Sequence, residues 1–390
     1  MSRGLEALMD NLTHILLGAT IGQAVGRRRL GWIALAAGAV ANTIPDLDVL
    51  PLAFAGDGLA EWRDHRALTH SLWFGAVVGP LLGWASWRFF RRRPGDGRGA
   101  DAALRSWIAV WTVSMISHAL LDASTIYGTQ LLQPFSDRRF AIPAVGIIDP
   151  FYTVILLAAV LLALVVRRRA EVVAWLALLG STAYLVYGWG ENQAVAREAR
   201  RQLAAQGIVG VDVEAYTTIF QPWLRRVVVT EPWGIRVGYI SSAAPRPADW
   251  FCHLRADDPA IDLLRGSEAG QVLDWFSGGN AWPVVAREAD GTVRVTLLDT
   301  RYGAPGPTVL GWWGVSARYA ADGRAIEAPR RIAVPRTVSR DVIAGLWAAT
   351  SGDAAPLYRA SGIDLPAAPP PGAPPGCRMM VEINGRPTGS

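Results

Sequence analysis

The stretch His65-Arg66-Ala67-Leu68-Thr69-His70-Ser71 stands directly before a long apolar run, Leu72 to Phe90. The chain has five histidines, and four of them fall in its first third, each beside an apolar segment: His14, His65, His70 and His118. Ionisable side chains at apolar helices are costly in a membrane and usually functional. The stretch therefore predicts a site that gathers these histidines, with nearby aspartates, at one face of a membrane domain.

Composition divides the chain into parts of different character. Of its 390 residues 51% are hydrophobic and 18% charged, and the mean hydropathy is +0.22. The apolar residues concentrate before about residue 190, and the second half has an ordinary soluble composition. We predict a mainly α fold with a helical membrane domain at 1–190, a smaller α+β or mainly β soluble domain at 191–364, and a Pro-rich flexible tail at 365–390.

Six apolar segments predict a six-helix membrane domain: 12–26, 30–44, 69–90, 104–122, 151–166 and 171–189. At 1.5 Å per residue the first helix is only about 22 Å long, which is marginal for a bilayer. It therefore either crosses the membrane or is re-entrant. Asn11 is the predicted cap of that helix, which places His14 in its first turn. Small residues in the second helix are typical of close helix packing in lipid.

The second half predicts a charged amphipathic helix followed by strands. The helix covers 191–206, and the strands are expected at 226–230, 235–241, 282–287 and 293–298. The sequence Glu288-Ala289-Asp290-Gly291 is typical of a hairpin turn between the last two. The cysteines Cys252 and Cys377 show no metal-ligand spacing, and a disulfide between them is left open.

Arginine clusters follow the first, third and fifth predicted helices, at 27–29, 88–93 and 167–169. An alternating path puts all three clusters on one face, which the positive-inside rule makes cytoplasmic. The histidines and aspartates sort to the opposite ends of the helices. The pattern predicts a multi-pass protein of the bacterial cytoplasmic (inner) membrane, with the site and the second domain outside the cytoplasm. The net charge of +5 is explained by these clusters, so we expect the lipid bilayer and no nucleic acid as partner.

The predicted metal ligands are imidazoles and carboxylates: His14, Asp46, Asp48, His65, His70, His118 and Asp122. His118 and Asp122 are four apart on a helix, so they can chelate one cation, or the carboxylate can orient the imidazole through a hydrogen bond. His65 and His70 are five apart, about 140° around a helix, so His65 is expected in the preceding loop and His70 in the first helical turn.

Three residues are predicted to take part in catalysis. Asp46 and Asp48 lie in a Pro-initiated turn, where a carboxylate can bridge metal ions or act as general base on water. Arg66, four residues before His70, is the candidate contact for an anion or phosphate. Arg139 is a second candidate for that contact. Asp149 either joins the site or only starts a helix with Pro150.

Mixed His and Asp ligands suit zinc best, with manganese or iron as alternatives, and several carboxylates allow one to three ions. Such sites activate water and clamp phosphoryl oxygens. The sequence contains no H-E-x-x-H, G-x-S-x-G or Walker motif, so zincin, serine hydrolase and P-loop NTPase interpretations lack support.

Four motifs together resemble the YdjM-like family of bacterial membrane-bound metal-dependent hydrolases: Thr13-His14-Ile15-Leu16-Leu17-Gly18, Pro45-Asp46-Leu47-Asp48, the stretch 65–71, and Ser117-His118-Ala119-Leu120-Leu121-Asp122. The stretches 127–130 and 148–152 resemble it too, and the second half is similar to the trailing region of its longer members. The resemblance implies the ligand set above. It also implies a distant similarity to zinc-dependent phospholipase C and P1-type nucleases, although this chain lacks the additional His-x-x-x-Glu helix of those zinc phospholipases.

The leading hypothesis is metal-dependent hydrolysis of a phosphoester on a lipid or lipid-linked substrate, at the outer surface of the membrane. The alternative is a non-enzymatic metal-binding membrane scaffold or transport-type protein. Transport predicts ionisable residues deep within helices, whereas these cluster at helix ends, which favours an enzyme. The second domain could serve as a substrate lid or partner-binding module. The sequence does not indicate the oligomeric state.

Overall fold

The computed structural model describes residues 3–52, 58–90, 97–303, 310–334, 339–363 and 372–381. The chain forms two compact units, one made of residues 2–189 and 219–221, the other of residues 190–218 and 222–390.

The first unit is helical. Its helices are α1 (Arg3–Leu30), α2 (Ile33–Thr43), α3 (Val49–Leu52), α4 (Ala60–Asp64), α5 (Leu72–Phe90), α6 (Gly97–Ala123), α7 (Pro150–Val165) and the first part of α8 (Ala170–Ala204), with 3₁₀ turns at Pro45–Asp48, Leu68–His70 and Arg167–Arg169. The prediction of a mostly helical first half followed by a β-rich domain is confirmed.

Three segments of the described chain are long and apolar enough to cross a membrane: Ile33–Leu52, Asp101–Ala123 and Arg167–Ala204. A shorter apolar helix, Pro150–Val165, accompanies them. The predicted number of six membrane helices is not confirmed.

Two predicted helix boundaries were wrong. α1 has 28 residues and starts at Arg3, so Asn11 lies within it and His14 is near its middle rather than in its first turn. Neither Pro nor Gly interrupts residues 5–12, and nothing there stops a helix. α8 has 35 residues and continues through Gly190, where we predicted a break before a separate amphipathic helix.

Glycines allow the helices to approach closely, as the small residues of α2 predicted. A Cβ atom on Gly18 of α1 would overlap the carbonyl oxygen of Gly38 in α2. On α5, Gly79 lies against Thr112 of α6, where an added Cβ would be 2.6 Å from the Thr112 Cα. Contacts this short are typical of helices held by van der Waals packing in lipid.

The second unit contains two sheets and short helices. Its elements are β1 (Asp212–Thr217), β2 (Leu224–Glu231), β3 (Gly234–Ser241), β4 (Trp250–Leu254), α9 (Ala260–Gly266), α10 (Glu268–Ser277), β5 (Ala281–Arg287), β6 (Val293–Asp299), β7 (Trp313–Tyr319), β8 (Ala325–Ala333), α11 (Arg340–Thr350), α12 (Ala355–Ala360) and β9 (Cys377–Val381). The sheet orders are β1-β2-β3-β4-β9 and β5-β6-β7-β8. All four predicted strands and the hairpin turn between β5 and β6 are confirmed.

A disulfide joins the end of the chain to the first of these sheets. Cys252 in β4 and Cys377 in β9 are bonded, 125 residues apart in sequence, and β9 pairs with β4 in parallel. The prediction of a flexible tail was therefore wrong for Cys377–Val381, because the strand and the disulfide fix this segment. Residues 364–371 and 382–390 lie outside the described chain.

Candidate metal centre

Four segments of the helical unit bring the predicted histidines and aspartates together. α1 supplies His14, the turn Pro45–Asp48 supplies two aspartates, the segment 65–70 supplies two histidines, and the end of α6 supplies His118 and Asp122. Pro45 begins its turn one residue after α2 ends, so both aspartates follow this helix without a long intervening loop.

Four ligand atoms form the centre of this cluster. Nε2 of His70 lies 3.2 Å from Oδ1 of Asp46 and 3.3 Å from Oδ2 of Asp122. Nε2 of His118 lies 3.4 Å from the same oxygen of Asp46 and 3.3 Å from the same oxygen of Asp122. We call these four atoms the His/Asp tetrad. The contact between His118 and Asp122 confirms the prediction that they share one helix face.

The spacing of the tetrad fits a small divalent ion. Four ligands placed tetrahedrally at about 2.0–2.1 Å from zinc are separated from one another by about 3.3 Å. The four nitrogen–oxygen separations, 3.2 to 3.4 Å, match that value. The tetrad residues form a group that could hold a metal ion.

The hydrogen bonds of His118 leave its inner nitrogen available to a metal. Its Nδ1 donates to the backbone oxygen of Asn42 at 2.6 Å, so Nε2 carries the lone pair. That Nε2 atom, and Oδ2 of Asp122 opposite it, are buried and have no hydrogen-bond partner among the described residues. A buried acceptor pair of this kind is costly unless a cation or proton lies between the two atoms.

Asp48 lies on the far side of His70 from the tetrad. Its Oδ2 is 3.3 Å from Nδ1 of His70, and it accepts from the hydroxyl of Thr69 at 3.0 Å and from the amide of Arg66 at 3.3 Å. A carboxylate on the second nitrogen of a ligand imidazole fixes the tautomer and the ring orientation. These contacts are those expected of a carboxylate that holds the His70 ring in place.

Asp48, His65 and His70 form a second group with metal-ligand spacing. Nδ1 of His65 lies 2.9 Å from Oδ1 of Asp48. Because His70 faces Asp48 with Nδ1 and the tetrad with Nε2, we favour the tetrad as the ion site and interpret His65–Asp48 as a hydrogen-bonded pair. The side chain of His65 is 17% exposed, whereas those of His70 and His118 are fully buried, so this pair borders the accessible side.

The segment around Arg66 is less helical than predicted. His65 is extended, as expected for a loop, but Arg66 has a φ of 61° and His70 ends a 3₁₀ turn before α5 begins. The prediction that His70 lies in the first turn of the apolar helix was therefore wrong. A positive φ at a non-glycine residue is strained, and such strain concentrates at functional sites.

Arg66 contacts Asp122 instead of facing outward. Its side chain is 3% exposed, with Nη2 3.1 Å from Oδ1 of Asp122 and Nη1 donating to Thr125 at 3.1 Å. These contacts do not provide the predicted anion contact, because the guanidinium is buried against an internal carboxylate. His14 shares that carboxylate oxygen, with its Nε2 at 3.2 Å, so it lies beside the tetrad rather than in it. Arg66 and His14 both contact Oδ1 of Asp122, so Oδ2 remains the oxygen that belongs to the tetrad.

Asn42 is a site residue that the sequence reasoning missed. Its side-chain amide donates to the backbone oxygen of Ser114 at 2.6 Å and to the hydroxyl of Ser117 at 3.0 Å. Its Oδ1 faces Nδ1 of His14 at 3.2 Å, and its side chain is fully buried. A single amide within an apolar helix was the available signal.

Asp149 and Arg139 have structural contacts of their own. Asp149 caps α7, accepting from the amides of Phe151 and Tyr152 at 3.0 Å each, which agrees with the helix-start interpretation. It also lines, with His14 and Asp122, a cavity of about 20 Å³, room for about one water. Arg139 donates to the backbone oxygens of Trp62, Tyr127 and Gly128, so it holds the loop beside the site.

Fold and site together define a membrane protein with a buried histidine–aspartate centre able to hold a metal ion. A family model described as "YdjM inner membrane protein" matches residues 9–195. The chain is similar to the Inner membrane protein YbcI of Escherichia coli (strain K12), with 35% identity over 134 residues, which cover 34% of this chain and 71% of the relative. The chain belongs to the YdjM inner membrane protein family.

A more distant relative matches a similar share of the chain. The Uncharacterized protein YfhP of Bacillus subtilis (strain 168) is 29% identical over 164 residues, or 39% of this chain and 45% of the relative. No solved structure matches the chain.

Proposed function

We propose that the protein is a metal-dependent hydrolase that cleaves a phosphoester of a lipid or lipid-linked substrate. The observation that carries the proposal is the tetrad, whose nitrogen–oxygen separations of 3.2 to 3.4 Å match those of tetrahedral zinc ligands. A bound divalent ion, with zinc favoured over manganese or iron, supplies Lewis acidity towards water and towards a phosphoryl oxygen.

The surrounding residues hold this centre and move protons. Asp46, His70, His118 and Asp122 are the proposed ligands, Asp48 orients His70, and Arg66 and His14 fix Asp122. The His65–Asp48 pair is the proposed acid–base group, because it borders the accessible side and the two atoms are 2.9 Å apart. A histidine oriented by a carboxylate suits proton transfer.

Exposed leucines in the segments that carry the site residues support an amphiphilic substrate. Leu47, between the two site aspartates, is 51% exposed, and Leu50 is 58% exposed. Leu68, within the stretch that carries His65 and His70, is also 51% exposed. Exposed apolar side chains next in sequence to charged site residues favour a molecule with an apolar part and a polar headgroup.

Phosphoester release is the direct test of the reaction. Purified protein incubated with a panel of phospholipids and prenyl phosphates should release a phosphorylated product, and chelation should abolish the release. His65→Gln should lower kcat by about 10²-fold, the lower end of the usual effect of a general acid or base, while metal content is unchanged.

Two outcomes would count against parts of this proposal. Metal retention without turnover on any member of the panel would favour the non-enzymatic scaffold. Equal loss of metal and of activity in His65→Gln would make His65 a ligand, as predicted from the sequence, and remove its acid–base role.

We also propose that the protein is multi-pass and that the site and second unit lie outside the cytoplasm. The arginine clusters support this orientation through the positive-inside rule. The disulfide between Cys252 and Cys377 supports it independently, because disulfides persist in oxidising compartments.

Fusions to the full chain test the orientation. Alkaline phosphatase joined after Ser390 should be active, since it folds only outside the cytoplasm, and green fluorescent protein at the same position should be dark. The reverse pattern would put the second unit in the cytoplasm and refute the orientation.

A further inference from the structure

A cluster of positive charge is formed by residues that are distinct from those of the metal centre. The last turn of α1 carries Arg27, Arg28 and Arg29, and the turn between α7 and α8 is Arg167–Arg169. Most of these arginines line a cleft of about 350 Å³, together with Glu171, Val172 and Trp175. No residue of the tetrad lines this cleft, so a ligand bound in it is independent of the proposed hydrolase.

The cleft is strongly basic, and acidic side chains compensate only part of its positive charge. Of the described residues that line it, five are arginines and one is a glutamate. Glu171 contacts Arg28 at 3.2 Å. Nη1 of Arg27 is buried and has no hydrogen-bond partner among the described residues. A buried guanidinium hydrogen left without an acceptor is costly, and an anion in the cleft would supply the acceptor.

Aromatic and apolar side chains adjoin this charge. The guanidinium of Arg27 lies 3.5 Å from the ring centroid of Trp32, whose side chain is 36% exposed. Trp175 is 52% exposed and Val172 56% exposed on the neighbouring helix. Tryptophan next to arginine at the ends of apolar helices is typical of the membrane–water interface.

We propose that this cleft binds the phosphate of an anionic membrane phospholipid. Planar guanidinium groups match phosphate oxygens in pairs, and basic pockets between membrane helices bind anionic headgroups. The exposed tryptophans and valine provide a surface for the glycerol and acyl part, which free phosphate lacks. This apolar surface favours a lipid over a soluble anion.

Native mass spectrometry of the detergent-purified full chain tests the site. Phosphatidylglycerol should bind more tightly than phosphatidylcholine. Arg27→Gln and Arg167→Gln should each weaken phosphatidylglycerol binding by about fivefold, the usual contribution of one basic residue at an anionic surface. Each single change leaves the other arginines of its cluster in place, so the excess of positive charge that orients the protein in the membrane is preserved.

Arg138→Gln is the matched control, since Arg138 is exposed and stacks near Phe140 away from the cleft lining. It should bind phosphatidylglycerol like the unmodified protein. If Arg27→Gln misfolds, Arg167→Gln decides the result, because Arg167 is exposed. Equal affinity for the two lipids, an unchanged affinity in Arg167→Gln, or full competition by millimolar inorganic phosphate would overturn the proposal.

Discussion

Purified His118→Ala and His70→Ala proteins should each carry less than about a tenth of the metal bound by the unmodified chain, because each change deletes one of the four proposed ligands. The two imidazole Nε2 atoms lie 3.2 to 3.4 Å from the same two carboxylate oxygens, and no other described histidine belongs to that group. Inductively coupled plasma mass spectrometry on protein purified without added chelator measures the metal per chain.

His253→Gln is the matched control for these losses. His253 lies in β4 of the second unit, where burial and the positive charge of Arg226 lower its pKa to about 3, so it is neutral at physiological pH. Metal content in this variant should equal that of the unmodified protein. Unchanged metal in both His70→Ala and His118→Ala would eliminate the tetrad as the site.

Asp48→Asn distinguishes an orienting carboxylate from a ligand. If Asp48 only holds His70, affinity for zinc should fall by about 10–100-fold, the usual cost of losing such a partner. A loss as complete as in His118→Ala would instead support the sequence-based prediction that Asp48 is itself a ligand. A competition titration with a zinc chelator separates the two results.

Local sequence signals predicted the helical character of the first half and a side-chain contact within one helix. His118 and Asp122 could be placed on one face because helix periodicity is a local property, and their contact follows from it. Asp46 and Asp48 could be assigned to a turn because Pro45 ends a helix. Four of the nine described strands of the second unit, β2, β3, β5 and β6, followed in the same way from alternating or β-branched segments.

Contacts between distant segments could not be predicted in this way. Asn42 contacts residues 28 to 76 positions away, so its role depends on how α1, α2 and α6 pack. Arg66 looked available to a substrate, but the positive φ at this residue and the position of Thr125 bury its guanidinium against Asp122. β9 is equally non-local, since it pairs with β4, and their cysteines are 125 residues apart in sequence.

Gly18→Ala should disrupt the metal centre although Gly18 contacts none of the tetrad. An alanine Cβ at this position would overlap the carbonyl oxygen of Gly38 and lie 2.5 Å from Cβ of Asn42. These are backbone and near-backbone atoms that cannot rotate away, so α1 and α2 must separate. Overpacking of this kind costs about 1–3 kcal/mol. We therefore expect a lower melting temperature in detergent.

The separation of α1 and α2 should also reach the site. Asn42 joins α2 to His14 through its side chain and to His118 through its backbone oxygen, at 3.2 and 2.6 Å. Moving Asn42 removes the acceptor that sets the tautomer of His118, so zinc affinity should fall by about 10–100-fold. Chelator competition and a thermal melt on the same sample measure both effects.

Gly180→Ala provides the matched comparison, because it makes the same substitution in another apolar helix. Around Gly180 an added Cβ would meet only Ile155, at an ordinary 3.9 Å, so stability and zinc affinity should not fall. Equal stability and equal zinc affinity of Gly18→Ala and Gly180→Ala would show that the close approach of α1 and α2 is not needed for either property. A fall in both properties only in Gly18→Ala would show that helix packing, and not the ligands alone, determines the geometry of the metal centre.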